Sequence, residues 1–180
     1  MRRIILLLII FLIMSITVFT YEKPLPKQHN PFIITKEKAI KNAPVTIRVY
    51  LAAIKYTDGY VATVDELLKC AKQETSYKGI YQLNYNPYVT SFAKAQGVWQ
   101  IRVIAARQAW GHKLDSLSDQ QLNEKLKYDI EFNCETAVKY LQYLNSIYNN
   151  KLMIYSAYNK GPGNVKIIED INDYARNIIN

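Results

Sequence analysis

The stretch TVDELLKCAKQETSY, residues 63–77, predicts a helix from which the rest of the fold can be worked out. Thr63 and Glu66 have the reciprocal spacing of a capping box at a helix N-terminus. Apolar residues then recur at the spacing of a core-facing helical stripe, at Val64, Leu67, Leu68 and Ala71. We therefore expect this helix to pack one face against the core.

A carboxylate lies at the edge of that apolar stripe, close to the end of the predicted helix. Glu74 follows Leu67 by two helical turns and so lies almost directly above it. A partly desolvated carboxyl group has a raised pKa and can act as a general acid near neutral pH. The alternative is an ordinary solvated glutamate at a helix end. The remainder of the chain has to decide between the two.

The first 43 residues are expected to be a targeting segment and a tether, and not part of the folded domain. Arg2 and Arg3 precede an apolar run over residues 4–19, which is typical of a signal-anchor or a signal peptide within residues 1–20. The prolines of residues 21–43 favour an extended tether. The arginines predict a cytoplasmic N-terminus. We therefore expect residues 44–180 to form a periplasmic domain, either anchored to the inner membrane or secreted across it.

Charge and cysteine content narrow the function classes. The net charge is +8, but the lysines are scattered and no arginine-rich or aromatic stripe for nucleic acid is present. His29 and His112 are isolated, and no paired spacing for a metal site occurs. Cys70 and Cys134 are compatible with one disulfide, and equally with two small buried side chains. No metal and no nucleic-acid partner is predicted.

The chain from residue 44 onwards carries helical patterns and no alternation typical of strands. Capping residues, apolar spacing and breakers predict helices at 45–56, 63–77, 97–110, from 118, at 133–148, 152–158 and 165–179. Between them, residues 78–95 form a long loop rich in tyrosine, and loops of this length are usually functional. The predicted fold class is all-α, preceded by an N-terminal hydrophobic helix.

Four motifs in this order resemble the lytic transglycosylases, which belong to the lysozyme-like superfamily and cut bacterial peptidoglycan. SFAKAQGVWQIRVIAARQAWG (residues 91–111) resembles the family's S-x-x-G-A-x-G-L-M-Q-x-x-P-x-T-A signature. NCETAVKYL (133–141) resembles N-I-x-x-G-x-x-Y-L, and AYNKGPGNV (157–165) resembles A-Y-N-x-G-P-G-x-V. Glu74 and Thr75 fall where the family has its catalytic E-S pair. The resemblance implies the goose-type lysozyme and lytic transglycosylase fold.

The resemblance also implies a role for individual residues. Glu74 would be the single acid and base, since the family's substrate supplies its own nucleophile and no second carboxylate is required. Thr75 and Gln100 would donate or accept hydrogen bonds to substrate. Tyr158 would orient or tune the carboxyl group, and Asn159 would support the turn that positions Tyr158. No cofactor is implied.

The sequence departs from the family pattern at several positions. Thr75 replaces the usual serine but keeps a hydroxyl group, and Lys94 replaces a glycine. Val103 replaces a proline, and Ala137 replaces a glycine. The F-N-P element of the family resembles the tripeptide that begins at Tyr85, much further from Glu74 than in the family pattern, which implies an insertion in the loop after the acid.

Three functions are therefore open at this point. The first is a lytic transglycosylase that cleaves the β-1,4 bond of peptidoglycan and leaves a 1,6-anhydromuramoyl end, with an envelope-spanning secretion or conjugation apparatus as a candidate partner. The second is a lysozyme-type hydrolase that uses water. The third is a non-catalytic glycan-binding assembly factor. All three share peptidoglycan strands as the partner and the inner membrane, through residues 4–19, as the expected attachment.

Overall fold

Seven α-helices build the part of the chain that this computed structural model describes, residues 43–75 and 90–180. In chain order they are α1 (Val45–Tyr56), α2 (Val64–Glu74), α3 (Val103–Trp110), α4 (Asp119–Tyr128), α5 (Ile130–Asn145), α6 (Lys151–Lys160) and α7 (Asp173–Ile179). Three short 3-10 helices connect them, Gly111–Leu114, Pro162–Asn164 and Ile168–Asp170. Over these residues there is no strand, only isolated bridges at Gln96. The all-α prediction is confirmed for the described chain.

The long helix α5 runs through the centre of the fold. It packs against α1, α3, α4 and α6, while α7 closes the opposite side against α2 and α6. A helix surrounded by neighbours buries most of its faces rather than one stripe. Accordingly, ten of the 16 residues of α5 are buried, and they include the polar Asn133 and Thr136 as well as Leu141 and Leu144.

Local signals placed several helix ends correctly. The capping box of α2 is present in both directions, with Glu66 N donating to Thr63 Oγ1 and Thr63 N donating to the Glu66 carboxylate. Ser118 and Gln121 cap α4 in the same way. Gly111 ends α3 with a φ of +57°, a conformation that glycine adopts without the steric cost of a Cβ atom.

Four predicted helices differ in extent from the observed ones. The helix expected over 63–77 ends at Glu74, and the one expected over 133–148 lies three residues earlier, at Ile130–Asn145. The other two begin later than predicted. The helix expected from Gly97 begins only at Val103, and residues 96–101 form a tight turn closed by two backbone hydrogen bonds of 3.0 Å between Gln96 and Ile101. The helix expected over 165–179 begins only at Asp173, where the side chain of Asn172 accepts a hydrogen bond from Ala175 N. In both places side-chain hydrogen bonds stabilise a turn that competes with helix.

Residues 1–42 and 76–89 lie outside the described residues, and with them the predicted anchor or signal peptide, nearly all of the predicted tether, and the three tyrosines of the loop predicted over 78–95. Residues 90–95 of that loop are described and contain no helix. Within the described residues, none of the helices has both the length and the apolar character needed to cross a membrane.

The two cysteines are free thiols in the structure, and both side chains are fully buried. The disulfide considered from sequence is therefore not formed here, and the alternative of two small buried side chains describes their packing. Burial raises the pKa of both thiols, so they stay protonated at neutral pH.

Candidate active site

Glu74 is the last residue of α2, and its carboxyl group reaches a cleft of about 360 Å³. The helix is held in place by its buried face, on which Leu67, Cys70 and Ala71 are fully inaccessible. The other walls of the cleft come from the chain around Gln100 and from the C-terminal end of α6. The stripe that predicted the helix thus carries its terminal carboxylate to the edge of the core.

Burial raises the pKa of Glu74 to about 7, because the surrounding protein disfavours the charged carboxylate. A hydrogen bond opposes this shift: Tyr174 Oη donates to Glu74 Oε1 at 2.7 Å and stabilises the charged form. Near neutral pH the group is therefore divided between acid and base forms, which is the condition under which one side chain can first donate and then accept a proton.

Tyr174, on α7, was not found from the sequence. Its side chain is 9% exposed, and burial raises its pKa well above the ordinary value, so the hydroxyl remains a donor. Its oxygen also lies 3.1 Å from Cys70 Sγ. Because the single hydroxyl hydrogen goes to Glu74, the Cys70 thiol is the donor to Tyr174. The only sequence signal was an aromatic residue with a polar end on a core-facing helix stripe.

Tyr158 does not make the contact expected of it. Its hydroxyl donates to the backbone oxygen of Trp99 at 2.7 Å, whereas the tuning hydrogen bond to Glu74 comes from Tyr174. Tyr158 nevertheless lines the cleft and is almost completely buried. Its role in the structure is to hold the turn that carries Gln100.

Of the other predicted site residues, two line the cleft and one does not. Gln100 and Asn159 line the cleft together with Glu74 and Tyr158. Thr75 does not: it is 4% exposed, and its hydroxyl donates to Ala71 O at 2.8 Å within its own helix. Asn159 accepts a hydrogen bond from Asn172 Nδ2 at 3.0 Å, which ties the end of α6 to the N-terminus of α7.

Three side chains, those of Asn133, Trp99 and Tyr158, hold the turn over residues 96–101 in place by hydrogen bonds. Asn133 Oδ1 accepts from Trp99 N at 2.9 Å, and Asn133 Nδ2 donates to Gln96 O at 3.0 Å. The indole of Trp99 donates to Leu67 O at 2.9 Å, which joins the turn to α2. The asparagine, tryptophan and tyrosine of the sequence motifs therefore act together to fix the position of Gln100 relative to Glu74.

Gln100 itself has a φ of +49°, a left-handed conformation that costs a residue with a Cβ about 1 kcal/mol. Its Nε2 donates to Gly97 O at 2.7 Å, which stabilises the conformation from within the turn. A polar residue held in an unfavourable backbone conformation at a cleft is typical of a functional position.

Replacement Tyr174→Phe is expected to raise the pKa of Glu74 further. Among the described residues, Tyr174 makes the one hydrogen bond that lowers this pKa, and phenylalanine removes it while keeping the ring packing. A hydrogen bond to a charged group is worth enough that its loss should raise the pKa of Glu74 by about 1. The measurement is an NMR titration of the ¹³C-labelled glutamate carboxyl groups. Tyr155→Phe is the matched control, since the Tyr155 hydroxyl is buried without a partner among the described residues. A pKa that stays the same or falls in Tyr174→Phe would contradict the assignment.

The fold and the site together define a class: a helical domain with one half-titrating carboxyl group at the edge of a cleft, and no group of three or more metal-binding side chains in the described chain. The comparison with known families makes this specific. The family of the transglycosylase SLT domain matches residues 53–177, and the chain belongs to that family. Membership implies peptidoglycan processing of the lytic transglycosylase type, with peptidoglycan as the bound substrate. No curated protein and no solved structure matched the chain.

Proposed function

We propose that the protein is a peptidoglycan lytic transglycosylase with Glu74 as its single acid and base. It cleaves the β-1,4 bond between N-acetylmuramic acid and N-acetylglucosamine and leaves a 1,6-anhydromuramoyl end. The observation that carries the proposal is that Glu74, with a pKa of about 7, is the one carboxylate among the described residues that line the cleft.

The absence of a second carboxylate from this part of the cleft wall matters because glycoside hydrolysis ordinarily needs two. One carboxyl group suffices when the nucleophile belongs to the substrate. Glu74 donates its proton to the glycosidic oxygen as the bond from that oxygen to C1 of the muramoyl residue breaks. The C6 hydroxyl oxygen of the same residue then bonds to C1, and its proton returns to the Glu74 carboxylate. No water is consumed, and the acid is regenerated.

The neighbouring residues support both halves of this cycle. Tyr174 donates a hydrogen bond to the Glu74 carboxylate that forms after the first proton transfer. Burial raises the proton affinity of that carboxylate, which favours its reprotonation by the C6 hydroxyl group. Gln100 and Asn159 offer amide groups to the sugar, and the Tyr158 ring forms part of the cleft wall. The proposal assigns no catalytic step to Thr75, since its hydroxyl already bonds Ala71 O.

The decisive experiment is digestion of purified sacculi in H₂¹⁸O, followed by mass spectrometry of the released muropeptides. We expect products lighter than reducing-end muropeptides by one water and without ¹⁸O at the new end. Products that carry ¹⁸O at a reducing end would instead establish lysozyme-type hydrolysis. No release of muropeptides together with retained binding to sacculi would establish a glycan-binding protein.

A further inference from the structure

A second cavity, of about 540 Å³, opens beside the cleft that contains Glu74. The two share Ala93, Arg102 and Ile104 in their walls, so they are contiguous. A ligand that branches can therefore occupy both at once. The described wall of the second cavity is distinguished by basic side chains, Lys94, Arg102 and Arg107, against one acidic residue, Asp119.

Two of these cations are available to a ligand. Arg107 already has partners within the fold: its Nη2 lies 2.6 Å from Asp119 Oδ1, and its guanidinium also donates to the backbone oxygens of Leu114 and Leu117. Lys94 and Arg102 are exposed, and neither pairs with an acidic side chain of residues 43–75 or 90–180. The acidic residue of the cavity wall is thus paired within the fold, while Lys94 and Arg102 remain exposed in the same wall.

The backbone of Lys94 strengthens the case. Its φ is +59°, a left-handed conformation that costs a lysine about 1 kcal/mol and costs glycine almost nothing. The lytic transglycosylase signature has glycine at this position. The conformation is imposed by Ser91, whose backbone oxygen accepts from Lys94 N at 2.9 Å and whose side chain accepts from Ala95 N at 3.0 Å. A charged side chain kept where glycine would be relaxed is typical of a functional position.

We propose that Lys94 and Arg102 form a subsite for the carboxylates of the stem peptide carried by the muramic acid residue. The inference rests on the proposed function. The sugar rings in the cleft carry no charge, and the acidic groups of a peptidoglycan strand lie on its peptide branches. A strand bound with its glycosidic bond at Glu74 would direct a branch into the adjoining cavity. There Arg102 can pair with a carboxylate in a bidentate manner, and Lys94 adds a point charge at the rim.

The test compares two substrates: glycan strands that carry their stem peptides, and the same strands after an amidase has removed them. The parent is expected to have the higher kcat/KM on peptide-bearing strands. Lys94→Gly is expected to lower that preference about threefold and Lys94→Gly with Arg102→Gln about tenfold, in line with exposed ion pairs. Added salt should reduce the preference of the parent. Lys113→Gln is the matched control, because Lys113 is an exposed cation outside both cavity walls.

Two further readouts separate the possible failures. Lys94→Gly relieves an unfavourable φ, so its melting temperature should equal or exceed that of the parent, and a lost preference cannot then be ascribed to unfolding. Equal preferences in Lys94→Gly and Lys113→Gln would overturn the subsite while leaving the proposed function intact. Calorimetric binding of a soluble muramoyl tetrapeptide that weakens in the double variant, with no strand cleavage by the parent, would support the subsite and overturn the proposed function.

Discussion

Replacement Glu74→Gln is expected to lower kcat/KM on peptidoglycan about a thousandfold. The amide keeps the size of the side chain and the cleft around it, but it neither donates a proton to the glycosidic oxygen nor accepts one from the C6 hydroxyl. A positioned acid–base group ordinarily contributes between about a hundred- and ten-thousand-fold. Release of muropeptides from sacculi, measured against the parent at pH 7, gives the ratio. Comparable lysis by the variant would show that Glu74 is not the acid.

The same substitution is expected to stabilise the fold at alkaline pH. The pKa of Glu74 is about 7 in the folded chain and about 4.5 when exposed, so the folded state binds the extra proton. The buried charge therefore lowers the free energy of unfolding progressively as pH rises from 4.5 through 7, and at pH 8 this loss amounts to roughly 1–3 kcal/mol. Glutamine carries no charge, so the variant does not lose this stability. Denaturant unfolding should show a stability gain at pH 8 that falls to about a quarter of that size at pH 5.

A matched variant keeps both outcomes interpretable. Glu124 lies exposed on α4, away from the cleft, so Glu124→Gln should alter neither the lysis rate nor the pH dependence of stability. An inactive Glu74→Gln that is also less stable than the parent at pH 8 would contradict the burial argument, because it would mean that the charged carboxylate stabilises the fold.

Replacement Gly97→Ala is expected to destabilise the fold by about 3 kcal/mol or more. Gly97 has a φ of +77°, and a Cβ atom there would lie 2.4 Å from Leu126 O and 2.7 Å from Asn133 Cγ. The left-handed conformation costs about 1–2 kcal/mol, and the overlap with backbone and with a bonded side chain costs a similar amount again. Equilibrium unfolding in urea or guanidinium measures the change. Activity should fall as well, because Asn133 must move and it fixes the turn that carries Gln100.

The control for that substitution is Gly59→Ala. Gly59 also has a positive φ, +69°, but a Cβ atom built there meets nothing within 4 Å. It should therefore lose only the conformational part, about 1–2 kcal/mol. Equal losses at the two glycines would mean that the approach of α4 and α5 to Gly97 is not close enough to matter.

The sequence predicted those parts of the fold that depend on near neighbours. Both capping boxes, at Thr63 and at Ser118, connect residues three positions apart, so the pattern itself contains the interaction. The turn at residues 96–101 does not: its shape depends on Asn133, which is distant in sequence and adjacent only after α5 has packed. Without that side chain, the apolar spacing after Gly97 is equally compatible with a helix. The break before α7 did have a local signal, Asn172 as an N-cap, which the long apolar pattern obscured.

The site residues also differ in whether their roles depend on local sequence or on packing between helices. Glu74 could be found because its place on α2 follows from the stripe on its own helix. The donor to its carboxyl group could not, because Tyr174 approaches only through the packing of α7 on α2. Tyr158 was assigned to the carboxylate on resemblance, and its hydroxyl bonds the Trp99 backbone instead. Residues that act across helices need the packing before their roles can be assigned.

The hydrogen bond from the Trp99 indole to Leu67 O has a consequence for which substitutions this protein can accept near its cleft. It joins the turn of Gln100 directly to the helix of Glu74, and Asn133 and Tyr158 brace the same turn from α5 and α6. None of these bonds involves the segment between residues 76 and 89. The groups that form these bonds belong to α2, α5, α6 and the turn itself, so substitutions confined to residues 76–89 change none of these donors or acceptors.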